Sequence, residues 1–372
     1  MYINNILKRY FLMLLFRSNE GVDMRGFSIY VSNPLGAATH EYLVHMAQAG
    51  FTGVFTSLHI PEDDPKLLRS RLTLLAGWCK DSNLELVADV SDTGLNRMGW
   101  SLNEPRAILE TGITGLRIDD GIDLSEVASL SHAMPVALNA STISQHDIDT
   151  LRKSHADFDH LEAWHNYYPR PETGLDRDWY RAKNEWFHSL GLKTMGFVPG
   201  NGELRAPLFE HLPTLEIHRE WNPLAAALDL ERMKTDRIYI ADNTITDEVL
   251  HAFTQYFELG TIGLRLGAVP SELTAMVWHN RPDVARDVVR LMESRHLQVL
   301  PVVPGAAPNP RPTGTLTLDN ADYGRYAGEL QITRRDLPPD SRVQVLGRVI
   351  EADRSLLPFI GAGTGITLMQ GE

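Results

Sequence analysis

The densest group of chemically useful side chains lies at residues 165–174, which have the sequence HNYYPRPETG. This segment holds an imidazole, an amide, two phenols, a guanidinium and a carboxylate. Proline fixes φ at Pro169 and Pro171, so Arg170 and Glu172 would project in defined directions and lose little entropy on binding a ligand. The alternative is that Arg170 and Glu172 form a surface ion pair.

Two other carboxylates stand where chemistry could occur, Asp119 and Glu203. Asp119 follows an apolar strand-like segment and has Asp120 beside it, and burial with a neighbouring like charge shifts the pKa of a carboxyl group. Asp120 itself is interpreted as a cap of the following helix. Glu203 lies in a loop with two glycines, where a catalytic role and a solvated charge are both open. Three carboxylates are therefore candidates for proton transfer or nucleophilic attack.

Other polar and aromatic residues follow strand-like segments and are candidates for binding a ligand. Arginines among them could hold an anion through charge-assisted hydrogen bonds. The candidate binding residues are Tyr30, His165, Asn166, Tyr168, Arg170, Arg177, Arg205 and Asp242.

The sequence predicts neither a metal nor an organic cofactor. His59, His165 and His218 lack the spacing of a metal motif, and Cys79 is the only cysteine. The glycine-rich segment 361–365 is not followed by a helical pattern, so it does not match a dinucleotide-binding fingerprint.

The candidate residues lie at the ends of short β-rich segments that alternate with longer amphipathic ones from Met24 onward. This alternation is typical of βα units around a parallel sheet. Eight strands over ~240 residues fit a (β/α)8 TIM barrel, whose chemistry lies just beyond the carboxyl ends of the strands. The predicted strands are 26–30, 53–58, 84–90, 115–118, 135–139, 160–165, 193–198 and 237–241.

Helices are predicted between these strands, and several end at a glycine. Gly50, Gly112, Gly191 and Gly260 each follow a helical pattern and are expected in the left-handed conformation that ends a helix. Residues 212–219 alternate like a strand but are interpreted as a structured loop after strand seven. The predicted helices include 39–49, 65–83, 103–111, 144–155, 176–190 and 247–258.

The pattern changes after Gly260, where helices become rare. A strand is predicted at 261–266, and beyond the proline-rich segment 301–312 short strands follow one another through Gly, Pro and Asp turns. A sheet this short needs protected edges, so we expect a small antiparallel β barrel. The predicted division is a tail at 1–23, a catalytic barrel at 24–260 and a β domain at 261–372.

Composition limits the kinds of partner. The 372-residue chain is 43% hydrophobic and has a net charge of −13, which fits a globular protein and disfavours nucleic acid as a partner. A small anionic ligand remains compatible with local arginines. The single cysteine excludes an internal disulfide and fits a reducing compartment.

The N-terminal segment resembles a signal peptide only loosely. Lys8 and Arg9 precede the apolar residues 10–16, but Arg17 follows at once, without a small-x-small cleavage site. No apolar stretch reaches the ~20 residues of a membrane span, so no membrane association is predicted. Translation from Met24 is the simpler interpretation.

Several motifs together resemble the MupG-like 6-phospho-N-acetylmuramidase family, glycoside hydrolase family 170. The resemblance begins near Met24 and covers nearly all of the remaining chain. It is carried by the strings GFSIY, GVFTSL, GLRIDDG, HNYYPRPETGL, GNGELRAPL, PTLEIHR, RPTGTLTLDN and YGRYAGELQI. One departure is that family members commonly have SIYPE where this chain has SIYVS at 28–32, so a carboxylate is missing there.

The resemblance implies a TIM barrel, a cyclophilin-like β domain and a cytoplasmic enzyme of cell-wall recycling that splits N-acetylmuramic acid 6-phosphate (MurNAc 6-phosphate) from N-acetylglucosamine (GlcNAc). Glycoside hydrolysis needs one carboxyl group as an acid and another as a nucleophile or base. We assign Glu172 as the acid, Asp119 as the nucleophile or base and Glu203 as the reserve for either role. Arg170, Arg177 and Arg205 are the candidate ligands of the 6-phosphate. A non-catalytic phosphosugar-binding protein and a phosphosugar lyase or isomerase are the alternatives.

Overall fold

The computed structural model describes residues 24–58, 65–119 and 121–371. The N-terminal tail, His59 and Asp120 therefore lie outside the described residues. The chain divides into two compact units. The first runs to Arg219 and includes Asp229–Ile245, and the second consists of Glu220–Leu228 and Thr246 onward. The domain limits at residues 23 and 260 stay a prediction.

The first unit is a closed barrel of eight parallel strands, which confirms the predicted TIM barrel. Each strand pairs with the next along the chain, and β8 returns to β1 with Met24 opposite Arg237. The strands are β1 (Met24–Ser28), β2 (Gly53–Ser57), β3 (Glu85–Val90), β4 (Gly115–Ile118), β5 (Val136–Asn139), β6 (Leu161–Trp164), β7 (Lys193–Val198) and β8 (Arg237–Ile240).

Large side chains fill the inside of the barrel. Trp164 and Tyr239 are fully buried, and their ring centroids lie 5.2 Å apart. Gly26 allows the Tyr239 ring to approach the backbone of β1, since a Cβ atom at residue 26 would overlap that ring. Because a packed barrel has no central channel, a ligand must bind at its mouth, where the loops after the strands meet.

The helices around the barrel follow the prediction in most places. The exception is 103–111, where only Arg106–Leu109 is helical and an additional helix, capped by Ser91, precedes it. Gly50, Gly112, Gly191 and Gly260 all have positive φ, as predicted. The helices are α1 (Ala37–Gln48), α2 (Pro65–Asp81), α3 (Asp92–Met98), α4 (Arg106–Leu109), α5 (Leu124–Ser131), α6 (Gln145–Lys153), α7 (Arg177–Ser189), α8 (Pro223–Arg232), α9 (Asp247–Leu259) and α10 (Ser294–Leu297).

The segments near the unit boundaries in the sequence are residues 212–219 and the helices α8 and α9. Residues 212–219 form a structured loop as expected, with a bridge from Leu215 to Leu175 and one short 3-10 turn. Helix α8 was not among the predicted helices. By contacts, α9 groups with the second unit.

The second unit is built from short strands. One sheet has the order β10-β15-β9 and another the order β11-β13-β12-β14. Isolated bridges from Asn280 to Leu291 and from Leu266 to Val349 connect the two sheets at single positions. One pair, β9 with β15, is parallel rather than antiparallel. The strands are β9 (Thr261–Leu266), β10 (Trp278–His279), β11 (Val288–Leu291), β12 (Thr315–Asp319), β13 (Leu330–Thr333), β14 (Val343–Arg348) and β15 (Gly365–Gln370).

None of the helices in the part of the chain that the structure describes is both long and apolar enough to cross a membrane.

Candidate active site

A buried ion pair stands at the carboxyl ends of β3 and β4. Asp89 and Arg117 are directly opposite in the strand register, and the Arg117 Nη1 atom lies 2.6 Å from Asp89 Oδ1. The other terminal nitrogen of Arg117 donates to Asn166 Oδ1. Burial by itself would lower the pKa of Arg117, but the Asp89 carboxylate, with a smaller effect of Asp119, raises that pKa overall. Arg117 therefore stays charged inside the protein.

Asp119 lies beside this ion pair and is half-buried. Its Oδ1 atom accepts a 2.9 Å hydrogen bond from Asn139 Nδ2 at the end of β5. Asn139 Oδ1 in turn accepts from the Ser141 amide at 3.0 Å, which orients the Asn139 side chain. Arg117 therefore places a positive charge near the Asp119 carboxyl group. An oriented, ionised carboxylate can act as a base or a nucleophile.

Asn166 and Tyr168 follow β6 and contact the same side of the mouth. The Ser141 and Tyr168 hydroxyls are 3.2 Å apart, and Asn166 Nδ2 donates to Ser141 Oγ at 3.4 Å. The structure thus brings the predicted residues Asp119, Asn166 and Tyr168 into one network, linked by Asn139 and Ser141.

Arg205, on the loop after β7, is held between two tyrosines. Its guanidinium carbon lies 3.4 Å from the centroid of the Tyr30 ring, and Nη1 donates to the Tyr167 hydroxyl. The Tyr30 hydroxyl donates to Ala241 O at 2.6 Å, and burial raises the pKa of Tyr30 well above its usual value. Tyr30 is therefore a neutral, fixed platform for the Arg205 cation.

Asp242 shapes the loop that carries Arg205. Its carboxylate accepts backbone hydrogen bonds from Gly200 at 2.9 Å, Leu212 at 3.1 Å and Arg205 at 3.2 Å. Burial raises the pKa of Asp242, although these hydrogen bonds oppose the rise. Direct contact of Asp242 with a substrate stays a prediction, and its observed contacts organise the loop.

Glu203 is exposed and stands at the rim of a cavity of about 500 Å³. Its amide donates to Thr244 Oγ1 at 2.7 Å, and its Oε1 atom accepts from Asn243 Nδ2 at 3.0 Å. The cavity also borders Tyr30. Glu203 thus lies on the loop after β7 and contacts the loop after β8.

Glu172 is exposed, and the aromatic cover that the sequence analysis expected over its carboxyl group is absent. Arg170 and Glu172 form no ion pair with each other. The φ of Glu172 is +70°, and its amide donates to Glu216 Oε1 at 2.9 Å. Arg219 and the loop amides hold the pKa of Glu216 at about 2. The loop is shaped by the Glu216–Arg219 pair, which is distant in sequence and was not predicted.

Arg177 and His165 have partners on the helical side of the barrel. Arg177 forms two hydrogen bonds with Asp229, at 3.0 and 2.7 Å, and Asp229 also contacts His218. His165 is fully buried, and its Nε2 lies 2.8 Å from Asn184 Oδ1 on α7. Burial lowers the pKa of His165 to about 4. Substrate contact for both residues stays a prediction, and these positions argue against it.

The chemistry available at the mouth is that of carboxylates, guanidinium groups, amides and phenols. In the ranges that the structure describes, no group of three or more His, Cys, Asp or Glu side chains is arranged to hold a metal ion. The fold and the mouth together define a TIM-barrel protein with carboxylate and arginine side chains at the end where barrel enzymes carry out catalysis.

Comparison with protein families identifies the chain more closely. Residues 25–255 match the model for the N-terminal part of 6-phospho-N-acetylmuramidase, and residues 266–369 match the model for its C-terminal part. The chain belongs to the 6-phospho-N-acetylmuramidase family and is a glycosidase.

Two solved structures share this fold over more than nine-tenths of the chain. A conserved protein of unknown function from Enterococcus faecalis is 40% identical, with a TM-score of 0.86 over 93% of this chain and 96% of that one. An uncharacterised B. cereus protein shares the fold at 22% identity, with a TM-score of 0.70 over 94% of this chain and 100% of that one. Among proteins with curated descriptions, none matches the chain.

Proposed function

We propose that this glycosidase hydrolyses the bond between MurNAc 6-phosphate and GlcNAc, in the cytoplasmic recycling of cell-wall sugars. The observation that carries the proposal is the pairing, at one barrel mouth, of an oriented carboxylate with a fixed cation. Asn139 orients Asp119 next to the buried charge of Arg117, and Tyr30 holds Arg205. The first group suits attack at a glycosidic carbon, and the second suits a phosphate.

Asp119 is the proposed nucleophile or base. Its carboxylate must be ionised at neutral pH, and Arg117 supplies the neighbouring positive charge. The surrounding amide network sets the direction of the carboxylate before a substrate binds.

The acid is Glu172 or Glu203. Glu172 and Glu203 are both exposed, so desolvation favours neither as the acid. Glu203 lines a cavity large enough for a ligand, and its Oε1 atom is hydrogen-bonded to Asn243. A carboxyl group beside a bound leaving sugar can donate its proton directly to the departing oxygen. The cavity therefore favours Glu203 for this role.

Arg205 is the proposed ligand of the 6-phosphate. A guanidinium has five N–H donors, so its contacts with Tyr30 and Tyr167 leave donors for an anion. Arg170 is exposed on the neighbouring loop and is the second candidate. Arg177 is the weakest of the three, because Asp229 already engages it through two hydrogen bonds.

The test is to incubate the purified full-length chain with MurNAc 6-phosphate–GlcNAc and to measure released GlcNAc. The unphosphorylated disaccharide and Asp119→Asn are the controls. Release from the phosphorylated disaccharide, lost in the variant, supports the proposal. Tight binding without release would instead indicate a phosphosugar-binding protein.

A further inference from the structure

The cavity beside Glu203 lies between the segments that follow β1, β7 and β8. Its volume of about 500 Å³ falls within the range of small-molecule sites, roughly 300–1,000 Å³. We propose that this cavity binds an uncharged N-acetylhexosamine, the sugar that leaves when the disaccharide is cleaved. The inference rests on the proposed function and specifies where its two sugars bind.

Charge is the first argument for a neutral ligand. Among the described residues that line the cavity, Glu203 is the only charged one. A phosphate or a lactyl carboxylate placed there would face like charge, and the lining residues supply no cationic donor. The lining therefore disfavours the anionic sugar of the disaccharide relative to the neutral one.

Hydrogen bonding is the second argument. Asn243 Nδ2 donates to Glu203, while Asn243 Oδ1 is buried and accepts no hydrogen bond from any part of the chain that the structure describes. A buried acceptor without a donor is unfavourable. A hydroxyl or acetamido N–H of a bound sugar would supply that donor after a small rotation of the amide. Asn33, in the segment between β1 and α1, and Thr39, in the first turn of α1, add further polar groups to the wall.

The apolar part of the wall fits the same ligand. Tyr30, Leu35 and Tyr42 contribute to the lining, so the cavity combines apolar and hydrogen-bonding surface. A pyranose ring has the matching division, with C–H groups on its faces and hydroxyl groups around its edge. Aromatic side chains with one apolar and one polar end suit this kind of contact.

The position of Tyr30 relates the cavity to the reaction. Tyr30 lines the cavity, and its ring also packs against the Arg205 guanidinium. A disaccharide with its neutral sugar in the cavity and its phosphate toward Arg205 would place the glycosidic oxygen near Glu203. The C–O bond then breaks, this oxygen takes the carboxyl proton, and water supplies a hydroxyl group to the anomeric carbon and a proton to restore the acid.

The test fills the cavity and compares two substrates. One is MurNAc 6-phosphate–GlcNAc, and the other is the glycosyl fluoride of MurNAc 6-phosphate, whose leaving group occupies no sugar site. Ala38→Phe adds a ring at the cavity wall, and the matched control Gln48→Phe adds the same ring at an exposed position of α1 outside the lining. We expect Ala38→Phe to lower kcat/KM for the disaccharide, relative to the fluoride, by at least about tenfold through a higher KM. Gln48→Phe should leave this ratio unchanged.

A binding measurement makes the test independent of catalysis. Saturation-transfer NMR should detect free GlcNAc on the wild-type protein, weaker binding on Ala38→Phe, and no comparable binding of GlcNAc 6-phosphate at this site. An unchanged ratio of kcat/KM, or GlcNAc binding that survives Ala38→Phe, overturns the inference. If the wild-type protein cleaves neither substrate, the proposed function fails, and the GlcNAc measurement alone decides what the cavity binds.

Discussion

The Arg205 guanidinium carbon lies 3.4 Å from the centroid of the Tyr30 ring, so segments after β7 and β1 meet through one stacked pair. Tyr167, after β6, accepts a hydrogen bond from the same guanidinium. These contacts limit the rotamers of Arg205 before any ligand binds. A fixed cation loses less entropy when it binds an anion.

Replacement of Arg205 tests its role toward phosphate. Arg205→Ala should lower kcat/KM for the phosphorylated disaccharide by about 1.5–3 kcal/mol, the scale of a hydrogen bond to a charged group, which is roughly 10- to 150-fold. The unphosphorylated disaccharide should be affected little. Steady-state kinetics on both substrates measure the difference, and equal losses on the two would rule out a phosphate contact.

Arg170→Ala and Arg177→Ala are the matched comparisons. Arg170→Ala should reproduce the phosphate-specific loss only if the phosphate lies nearer the loop after β6. Arg177→Ala should reduce stability rather than phosphate discrimination, because it leaves the Asp229 carboxylate with one partner fewer. A phosphate-specific loss in Arg177→Ala would show that the Asp229 pairing gives way to substrate.

Variants of the two catalytic carboxylates should lose activity on different substrates. Asp119→Asn should be inactive on the disaccharide and on an activated aryl glycoside, since both need the nucleophile or base. The variant in which the acid is replaced should keep much of its activity on the aryl glycoside, because the aryl leaving group departs without being protonated. Glu203→Gln and Glu172→Gln, assayed in parallel on both substrates, identify which residue is the acid. Near wild-type turnover in Asp119→Asn would disprove its assignment.

The buried Arg117–Asp89 pair should be important for stability. Arg117→Met removes the positive charge beside the buried Asp89 carboxylate and should cost about 3–5 kcal/mol in the free energy of unfolding. The double variant Arg117→Met/Asp89→Leu should recover much of this loss, since neither charge remains. Urea denaturation of the two single variants and the double variant checks this. Additive losses would contradict a coupled pair.

The double variant also separates stability from catalysis. It should remain poorly active, because Asp119 has lost the positive charge beside it. Recovery of both stability and activity would show that Arg117 has no influence on Asp119.

Burial of His165 should make stability depend on pH. Its folded pKa of about 4 is below the unfolded value near 6.5, so only the unfolded chain takes up a proton between these pH values. Stability from this group is complete above about pH 6.5 and is lost as the pH falls toward 4, by about 2 kcal/mol at pH 5. Urea denaturation at pH 7 and pH 5 measures the loss.

His165→Gln is the control for this pH dependence. His218 is also buried with a lowered pKa and acts in the same direction, so only the difference between wild type and variant belongs to His165. The variant should lose less stability than the wild type between pH 7 and pH 5. Equal losses in the two proteins would mean that His165 does not titrate in this range.

The sequence predicts the barrel well because strand length and alternation are local properties. All eight strands lie where the sequence predicts them. Tyr30, Asn166 and Arg205 lie just beyond strand ends, as expected, and their contact with a substrate stays a prediction. The interrupted helix at 103–111 was harder to predict, because its segment is short and Pro105 marks the residue before the one helical turn.

The partners of the site residues could not be predicted from sequence. Arg117 is 28 residues from Asp89, and only the register of β3 and β4 places them opposite each other. Asn139 is the last residue of β5, and its contact with Asp119 depends on the pairing of β4 with β5. This position at a strand end was the one signal that could have identified Asn139. The exposed position of Glu172 depends on a hydrogen bond from its amide to the Glu216 carboxylate, 44 residues further along the chain.

Hydrolysis is tested most directly by following MurNAc 6-phosphate–GlcNAc by proton NMR during incubation with the full-length protein. We predict that the anomeric signals of free GlcNAc and MurNAc 6-phosphate increase together with wild-type protein, and that neither increases with Asp119→Asn. A spectrum that stays unchanged with wild-type protein, or an unsaturated product that indicates elimination rather than hydrolysis, would contradict this account.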